Sequence, residues 1–184
     1  MADVQIRRAV VEDVSKIRKL AESLRINLNK PQEGGFLVHV TYTQGYAARL
    51  AKNPFFYVAE REGEMAGFLM CFEDKALENL VQRGVMTAED NTFDFIFSQP
   101  RPFLVVDQIG VDRDYARQGV GRALMQGLFD DPRGIKIKDL YAEILHAPAR
   151  NQTSINFFSS LGFRGIKELT NSDNNTWGIY HASR

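Results

Sequence analysis

Two glycines, Gly119 and Gly121, follow a run of apolar residues and stand at the start of a predicted helix. Glycine lets the backbone approach a ligand closely, and the unpaired N–H groups at the start of a helix bind phosphate oxygens. Arg117 and Arg122 add positive charge beside those N–H groups. The residue types and their spacing therefore predict a site for a pyrophosphate group, with a tight strand-to-helix turn as the alternative interpretation.

The spacing separates this loop from two other phosphate-binding motifs. A dinucleotide-binding fold requires a third glycine three residues after the second, where this chain has Leu124. A P-loop requires a lysine directly after its last glycine, and Arg122 stands there instead. The loop therefore matches neither motif.

A second block, residues 151–163, forms a separate helix with its own motif. The two blocks together resemble the acyl-CoA-binding motifs of the GNAT superfamily of N-acetyltransferases. The first reads Gln118-Gly119-Val120-Gly121, and the second carries Asn151, Ser154, Phe158 and a final Gly162-Phe163. One departure is Ala116, which stands where the family has Gln or Arg.

The resemblance implies acetyl-CoA as co-substrate and gives roles to residues of this chain. The central strand would separate from its neighbour after four residues and offer main-chain contacts to the pantetheine arm and the oxyanion. The implied contacts are Ile109, Gly110 and Val111 for the acetyl-pantetheine arm, Arg117, Gln118, Gly119, Val120, Gly121 and Arg122 for the pyrophosphate, and Asn151 with the weaker candidate Ser154 for the pantetheine chain.

Two carboxylates are candidates for the base that takes a proton from an acceptor amine. Asp107 interrupts an apolar strand, where alternation places it on the face of Val105, Ile109 and Val111. A carboxylate in a buried strand either has a raised pKa or has a partner, so pairing with an arginine is the alternative interpretation. Glu143 on the adjacent predicted strand is the second candidate, with a solvated acid as its alternative.

The group that protonates the departing thiolate is a further departure from the family. The family often places a tyrosine near the CoA sulfur, and this chain has Phe158 at that position. Tyr141, Tyr180 or water would then supply the proton, or the thiolate would leave unaided, since thiol pKa values lie near ~8.5.

Residues 73–102, which we call the insertion, have no counterpart in the resemblance. A helix is predicted over Lys75–Gln82, and the alternation of Phe93, Phe95 and Phe97 predicts an extended segment with one aromatic face. Such a face favours an acceptor pocket, with core packing or a dimer contact as the alternatives. Residues 34–37 are a second candidate wall for the acceptor.

The predicted elements that carry these residues alternate along the chain. Their order predicts a mixed α/β domain over residues 1–184, with a mostly antiparallel, twisted sheet of six or seven strands and about four helices. The strongest strand is Phe103–Val111, whose apolar residues are typical of a central strand covered on both faces.

Composition narrows the class of protein. Twenty-three basic residues balance twenty-three acidic ones, which argues against a nucleic-acid binder that depends on counterion release. The single cysteine, Cys71, forms no intramolecular disulfide, and we expect a cytoplasmic protein without a metal or a membrane segment. The sequence thus predicts acetyl transfer from acetyl-CoA to a primary amine of a small molecule or peptide. A homodimer is the candidate assembly of the protein. The alternative functions are a non-catalytic CoA-binding sensor or scaffold and a protein-binding module.

Overall fold

The structure is a computed structural model that describes residues 3–28, 34–51, 53–86, 91–134 and 136–184. Its centre is one seven-stranded sheet with the strand order β1-β2-β3-β4-β5-β7-β6. The strands are β1 (Gln5–Arg8), β2 (Phe56–Arg61), β3 (Glu64–Glu73), β4 (Phe103–Val111), β5 (Asp139–Ala147), β6 (Arg164–Thr170) and β7 (Thr176–Ser183). The pair β4–β5 is parallel and the other neighbours are antiparallel, so the predicted mixed, mostly antiparallel sheet is confirmed.

Six α-helices cover the two faces of the sheet. They are α1 (Val14–Ser23), α2 (Thr43–Leu50), α3 (Asp74–Gln82), α4 (Asn91–Phe97), α5 (Val120–Phe129) and α6 (Gln152–Ser160). Apolar residues of α1 to α4 pack on one face, and those of α5 and α6 pack on the other. We call these the α2 face and the α5 face. The described residues thus hold two more helices than the approximately four that were expected, and both α3 and α4 lie in the insertion.

The second half of the insertion is helical, so the predicted extended segment is wrong. Phe93 and Phe97 stack with ring centroids 4.4 Å apart, because residues four apart share one side of a helix. Thr92 and Ile96, also four apart, are both buried. The phenylalanine spacing of two concealed this period, since Phe95 also packs partly against the core. The predicted helix in the first half is confirmed as α3.

Two irregularities in β4 shape the centre of the sheet. Its parallel pairing with β5 covers four residue pairs and stops at Val106 opposite Ala142, so the two strands separate beyond that point. On its other side, Val106 pairs with Cys71 and Gln108 pairs with Met70, which leaves Asp107 as an extra residue in a β-bulge. A bulge bends a strand and re-aims its side chains. Both irregularities therefore fall at the same place.

Candidate active site

The glycine loop, residues 117–122, has the geometry of an anion-binding helix start. Gly119 has a φ of +86° at the N-cap of α5, a left-handed conformation that favours glycine. The first bond within this helix runs from the N–H of Ala123 to the carbonyl of Gly119 at 2.9 Å. The N–H groups of Val120, Gly121 and Arg122 therefore precede the intrahelical bonds and face outward from the helix start.

The side chains of the glycine loop divide between scaffold and surface. Arg117 and Arg122 are exposed, whereas the Val120 side chain is buried, so Val120 offers only its main chain to a ligand. The Gln118 amide donates to the Asp114 carbonyl at 2.8 Å and accepts from Arg61, which holds the loop in place. A phosphate at this position would meet outward N–H groups and two arginine side chains.

Gly121 is also required for helix packing. A Cβ atom built at Gly121 would lie 3.1 Å from the ring of Phe157 on α6. That distance is shorter than ordinary van der Waals contact, so a larger residue would require the Phe157 ring to move by a few tenths of an ångström. The absence of a side chain at this position thus serves the contact between the two helices as well as access to the loop.

The separation of β4 from β5 leaves main-chain groups without a sheet partner on that edge of β4. Pairing with β5 ends at Val106, so Ile109, Gly110 and Val111 face the gap with their main-chain groups on that side. Ile109 lines the cavity described next, while Gly110 and Val111 continue the same edge toward the glycine loop. This arrangement is the one that the sequence resemblance implied.

A cavity of about 400 Å³ passes through this gap. On one side it is lined by Asn151, Ser154 and Phe158 of α6 and its N-cap, and on the other by Asp107 and Glu143. The cavity thereby brings together the second motif and two acidic residues that are separated in the sequence, whereas the glycine loop lies outside its lining. Phe36 and Leu37 of the second expected wall also line it.

The side chain of Asn151 makes two hydrogen bonds within the protein. Its Oδ1 accepts from the N–H of Ser154 at 3.2 Å and so caps α6. Its Nδ2 donates to the carbonyl of Phe36 at 2.9 Å, which ties the segment after α1 to α6. One hydrogen on Nδ2 remains for a ligand in the cavity.

Asp107 pairs with a cation of α2, as the alternative interpretation held. The Arg49 Nη1 lies 3.4 Å from its Oδ2, and the two side chains are 11% and 19% exposed. Burial raises the pKa of the Asp107 carboxyl above its usual value, and the positive charges of Arg49 and His39 oppose this rise. Burial and the neighbouring cations therefore act on the pKa of this carboxyl in opposite directions, and burial has the larger effect.

The prediction that Asp107 shares one face of the sheet with Val105, Ile109 and Val111 is wrong in part, because the bulge shifts the alternation of side chains along β4. Val105 packs with the α2 face, as Asp107 does through Arg49. Ile109 and Val111 instead pack with the α5 face. The next residue, Gln108, also reaches the α2 side, where it accepts from the Tyr46 hydroxyl at 2.9 Å. The carboxylate thus faces α2 and the insertion.

Glu143 faces the same side of the sheet and contacts the insertion. The Thr92 hydroxyl on α4 donates to its Oε2 at 2.9 Å. Thr92 is fully buried, so this bond fixes the carboxylate against α4. The expectation of two carboxylates on adjacent strands is consistent with this placement, since Asp107 and Glu143 both line the cavity.

No tyrosine is among the described residues that line the cavity. Phe158, which lines it, has no proton to donate. Tyr180 donates to or accepts from His146 at 3.1 Å, and His146 in turn contacts Glu168. Tyr141 packs between Phe103 and His181. Both tyrosines lie outside the described lining of the cavity, and the source of the proton for the thiolate stays a prediction.

Sequence reasoning missed Arg49 and Asn171, which both line the cavity. Arg49 follows Tyr46 by three residues, so the two side chains share the inner side of α2, and a cation there requires a partner. That spacing is the signal from which Arg49 could have been found. Asn171 lies between the last two strands, and its Oδ1 is buried without a hydrogen-bond partner among the described residues.

The comparisons with known proteins agree with this geometry. The sequence model of the acetyltransferase (GNAT) family matches residues 22–163, a span that contains the glycine loop, the separated strands and α6. The chain belongs to the GNAT family. It is accordingly an N-acetyltransferase, and the family resemblance inferred from the two motifs is confirmed.

One curated GNAT relative and two solved structures show how far the likeness extends. An N-alpha-acetyltransferase of Sulfurisphaera tokodaii is 26% identical over 168 residues, which cover 91% of this chain and 84% of that protein. Ard1 from Thermoplasma volcanium superposes with a TM-score of 0.70 at 17% identity, covering 98% of this chain and 97% of that one. Naa50 of Arabidopsis thaliana, in complex with the bisubstrate analogue CoA-Ac-MVNAL, gives a TM-score of 0.66 at 14% identity, covering 98% and 99%.

Two features are absent from the described part of this GNAT chain. No helix within it is long and apolar enough to cross a membrane. The same residues contain no group of three or more His, Cys, Asp or Glu side chains arranged to hold a metal ion.

Proposed function

We propose that the protein transfers an acetyl group from acetyl-CoA to a primary amine by direct attack within a ternary complex. The observation that carries the proposal is the single cavity through the gap between β4 and β5. Main-chain groups and the α6 side chains face it from one direction, and two carboxylates face it from the other. Donor and acceptor can therefore meet in the gap without a covalent intermediate on the protein.

The cofactor contacts follow the same direction. The pyrophosphate would bind the N–H groups of Val120, Gly121 and Arg122 and the side chains of Arg117 and Arg122, with Gln118 and Gly119 shaping the loop. The pantetheine arm would then run along the free edge of β4, past Val111, Gly110 and Ile109, to Asn151 and Ser154. This route is supported by the start of α5 soon after β4, by the end of the β4–β5 pairing at Val106, and by the position of Ile109, Asn151 and Ser154 in the cavity lining.

In the proposed reaction the amine must be neutral when its nitrogen attacks the thioester carbon. A carboxylate accepts the ammonium proton, the C–N bond forms, and the C–S bond breaks as the thiolate leaves. The nitrogen loses its second proton as the amide forms, and water carries that proton to the thiolate. A free N–H on the edge of β4 donates to the carbonyl oxygen as negative charge develops on it. We assign the proton to Asp107 first, because burial raises the pKa of its carboxyl and so makes the carboxylate a stronger base. Glu143 is the second candidate.

The state of the only cysteine supports direct attack rather than transfer through an acetyl-cysteine. Cys71 is fully buried on β3, and burial raises the pKa of its thiol well above the usual value. A neutral, inaccessible thiol is a poor nucleophile, because the thiolate is the reactive form.

The acceptor is proposed at the level of a primary amine with a nearby hydrogen-bond donor. Asn171 lines the cavity, and its buried Oδ1, which has no hydrogen-bond partner among the described residues, would accept such a hydrogen. Peptides are the first class to test, because a relative is an N-alpha-acetyltransferase and a solved neighbour binds a CoA–peptide analogue. Small-molecule amines form the second class.

The test of the proposal is a screen of amines, with the release of the free CoA thiol as the readout. For an amine that is acetylated, initial rates are measured while both substrates are varied. Double-reciprocal plots that intersect are expected, because both substrates must bind before the transfer. After incubation with acetyl-CoA alone, the intact mass of the protein should be unchanged. Parallel plots together with an acetylated protein would contradict direct attack.

A further inference from the structure

The insertion lines one wall of the cavity with apolar side chains. The cavity is lined by Leu77 of α3, by Met86, which follows α3, and by Phe93 of α4, beside Val105 of β4. Leu77 is 3% exposed, and Met86 and Phe93 are half-buried, so the wall is part of the folded surface rather than an exposed loop. These side chains have no hydrogen-bonding group to offer, apart from the weakly accepting sulfur of Met86.

This apolar wall adjoins the carboxylates that we propose as the base. Thr92, next to Phe93 on α4, donates to Glu143, and Val105 lies two residues before Asp107 on β4. Phe93 is held in place by its stacking on Phe97. A group attached close to the acceptor amine would therefore lie against the wall when the amine lies against the carboxylates.

We propose that this wall, formed by Leu77, Met86, Phe93 and Val105, is a specificity site that selects acceptors carrying an apolar substituent beside the primary amine. The inference rests on the proposed function, since it places the amine at Asp107 and Glu143. An apolar substituent loses no hydrogen bonds on entering the site, whereas a polar or charged one leaves its own groups unpaired there.

A longer acyl chain on CoA is the competing occupant. Leu77 packs with the α2 face, whereas the α6 residues that we assign to the cofactor lie on the α5 face. An acyl group arrives from the α5 side of the gap and must cross it to reach the wall. An acceptor arrives from the α2 side and meets the wall directly. The wall is therefore assigned to the acceptor.

The test compares leucinamide with glycinamide, two primary amines that differ by an apolar side chain. In the presence of acetyl-CoA, kcat/KM for leucinamide is expected to exceed that for glycinamide by at least about tenfold, the usual effect of a small apolar group in a matching pocket. Binding is read separately in the presence of CoA from the fluorescence of Trp177, the only tryptophan, which lines the cavity. Binding selectivity without turnover would contradict the proposed function and leave this inference supported.

Two variants test whether the wall causes the preference. Phe93→Ala and the milder Met86→Gln are expected to reduce the leucinamide preference severalfold. Phe95→Ala on the same helix is the matched control, since Phe95 packs partly against the core but does not line the cavity. Equal binding of both amides by the wild type, or an equal effect of Phe93→Ala and Phe95→Ala, would overturn the inference. The inference would also be overturned if Phe93→Ala or Met86→Gln changed the preference between acetyl-CoA and hexanoyl-CoA but left the preference for leucinamide over glycinamide unaltered.

Discussion

Replacing Asp107 with asparagine is expected to lower kcat by about 10²–10⁴-fold, the usual effect of removing a general base. Asparagine keeps the shape of the side chain but does not accept the ammonium proton. The dissociation constant for acetyl-CoA should change little, because the proposed contacts of this co-substrate near Asp107 are main-chain groups. Steady-state rates by thiol release and binding by calorimetry measure the two quantities separately.

The pH dependence gives a second measurement on the same variant. Because burial raises the pKa of Asp107 above its ordinary value of 3.8, its carboxylate becomes protonated at a higher pH than an exposed one. In the wild type, kcat/KM should therefore fall as the pH is lowered through that raised pKa. Asp107→Asn should lose this acidic limb, and its rate should recover in part at high pH, where more of the amine is already neutral.

Two controls separate loss of the base from loss of structure. Arg49 loses its partner in Asp107→Asn, so a lower melting temperature is expected and rates are measured well below it. Asp139→Asn changes a carboxylate on β5 that contacts His181 outside the cavity, and it should leave kcat unchanged. If Asp107→Asn kept full activity and Glu143→Gln lost it, Glu143 rather than Asp107 would be the general base. Full activity in both variants would mean that neither carboxylate is the base.

Reversing the charge of the glycine loop is expected to weaken acetyl-CoA binding strongly. Each hydrogen bond to a charged group contributes about 1.5–3 kcal/mol, so Arg117→Glu or Arg122→Glu should raise the dissociation constant by roughly 10–100-fold. Both side chains are exposed, so these changes should not unfold the protein. Arginine variants are better probes than Gly121→Glu, because a side chain at Gly121 would also strike Phe157.

Arg164→Glu is the matched control for the loop variants. It makes the same charge change at an exposed position on β6, the strand at the far edge of the sheet. Its dissociation constant for acetyl-CoA should equal that of the wild type, measured by calorimetry at one fixed ionic strength. Equal weakening by Arg164→Glu and Arg117→Glu would indicate a general charge effect and would place the pyrophosphate elsewhere.

Elements with a clear apolar period were predictable from the sequence. The bounds of β4, Phe103–Val111, agree with the prediction, because a run of nine residues that is apolar except at Asp107 and Gln108 fits a central strand covered on both faces. α4 was not predictable in the same way. Its aromatic residues recur at a spacing of two, and only the burial of Thr92 and Ile96 reveals the helical period.

The sequence named candidate site residues, five of which line the cavity (Asp107, Ile109, Glu143, Asn151 and Ser154), and their roles stay predictions. Their local geometry was not predictable. A β-bulge depends on the register between two strands, so no local pattern predicts that Asp107 falls outside the ladder. The partner Arg49 is 58 residues away on α2, and the pair forms only through tertiary packing. Asn151 was expected to bind the pantetheine chain, and its helix cap and its bond to Phe36 add structural roles.

The measurement that tests the central claim most directly is a thermal melt with and without acetyl-CoA, with NAD as the comparison. The glycine loop and the separated strands are proposed to bind acetyl-CoA, and the loop lacks the third glycine of a dinucleotide motif. A ligand at 100 times its dissociation constant adds about 2.7 kcal/mol to the free energy of unfolding. For a chain of this length, that corresponds to a rise in melting temperature of roughly 5–10 °C. We expect this rise with acetyl-CoA and none with NAD, whereas a melting temperature unchanged by millimolar acetyl-CoA would contradict the account.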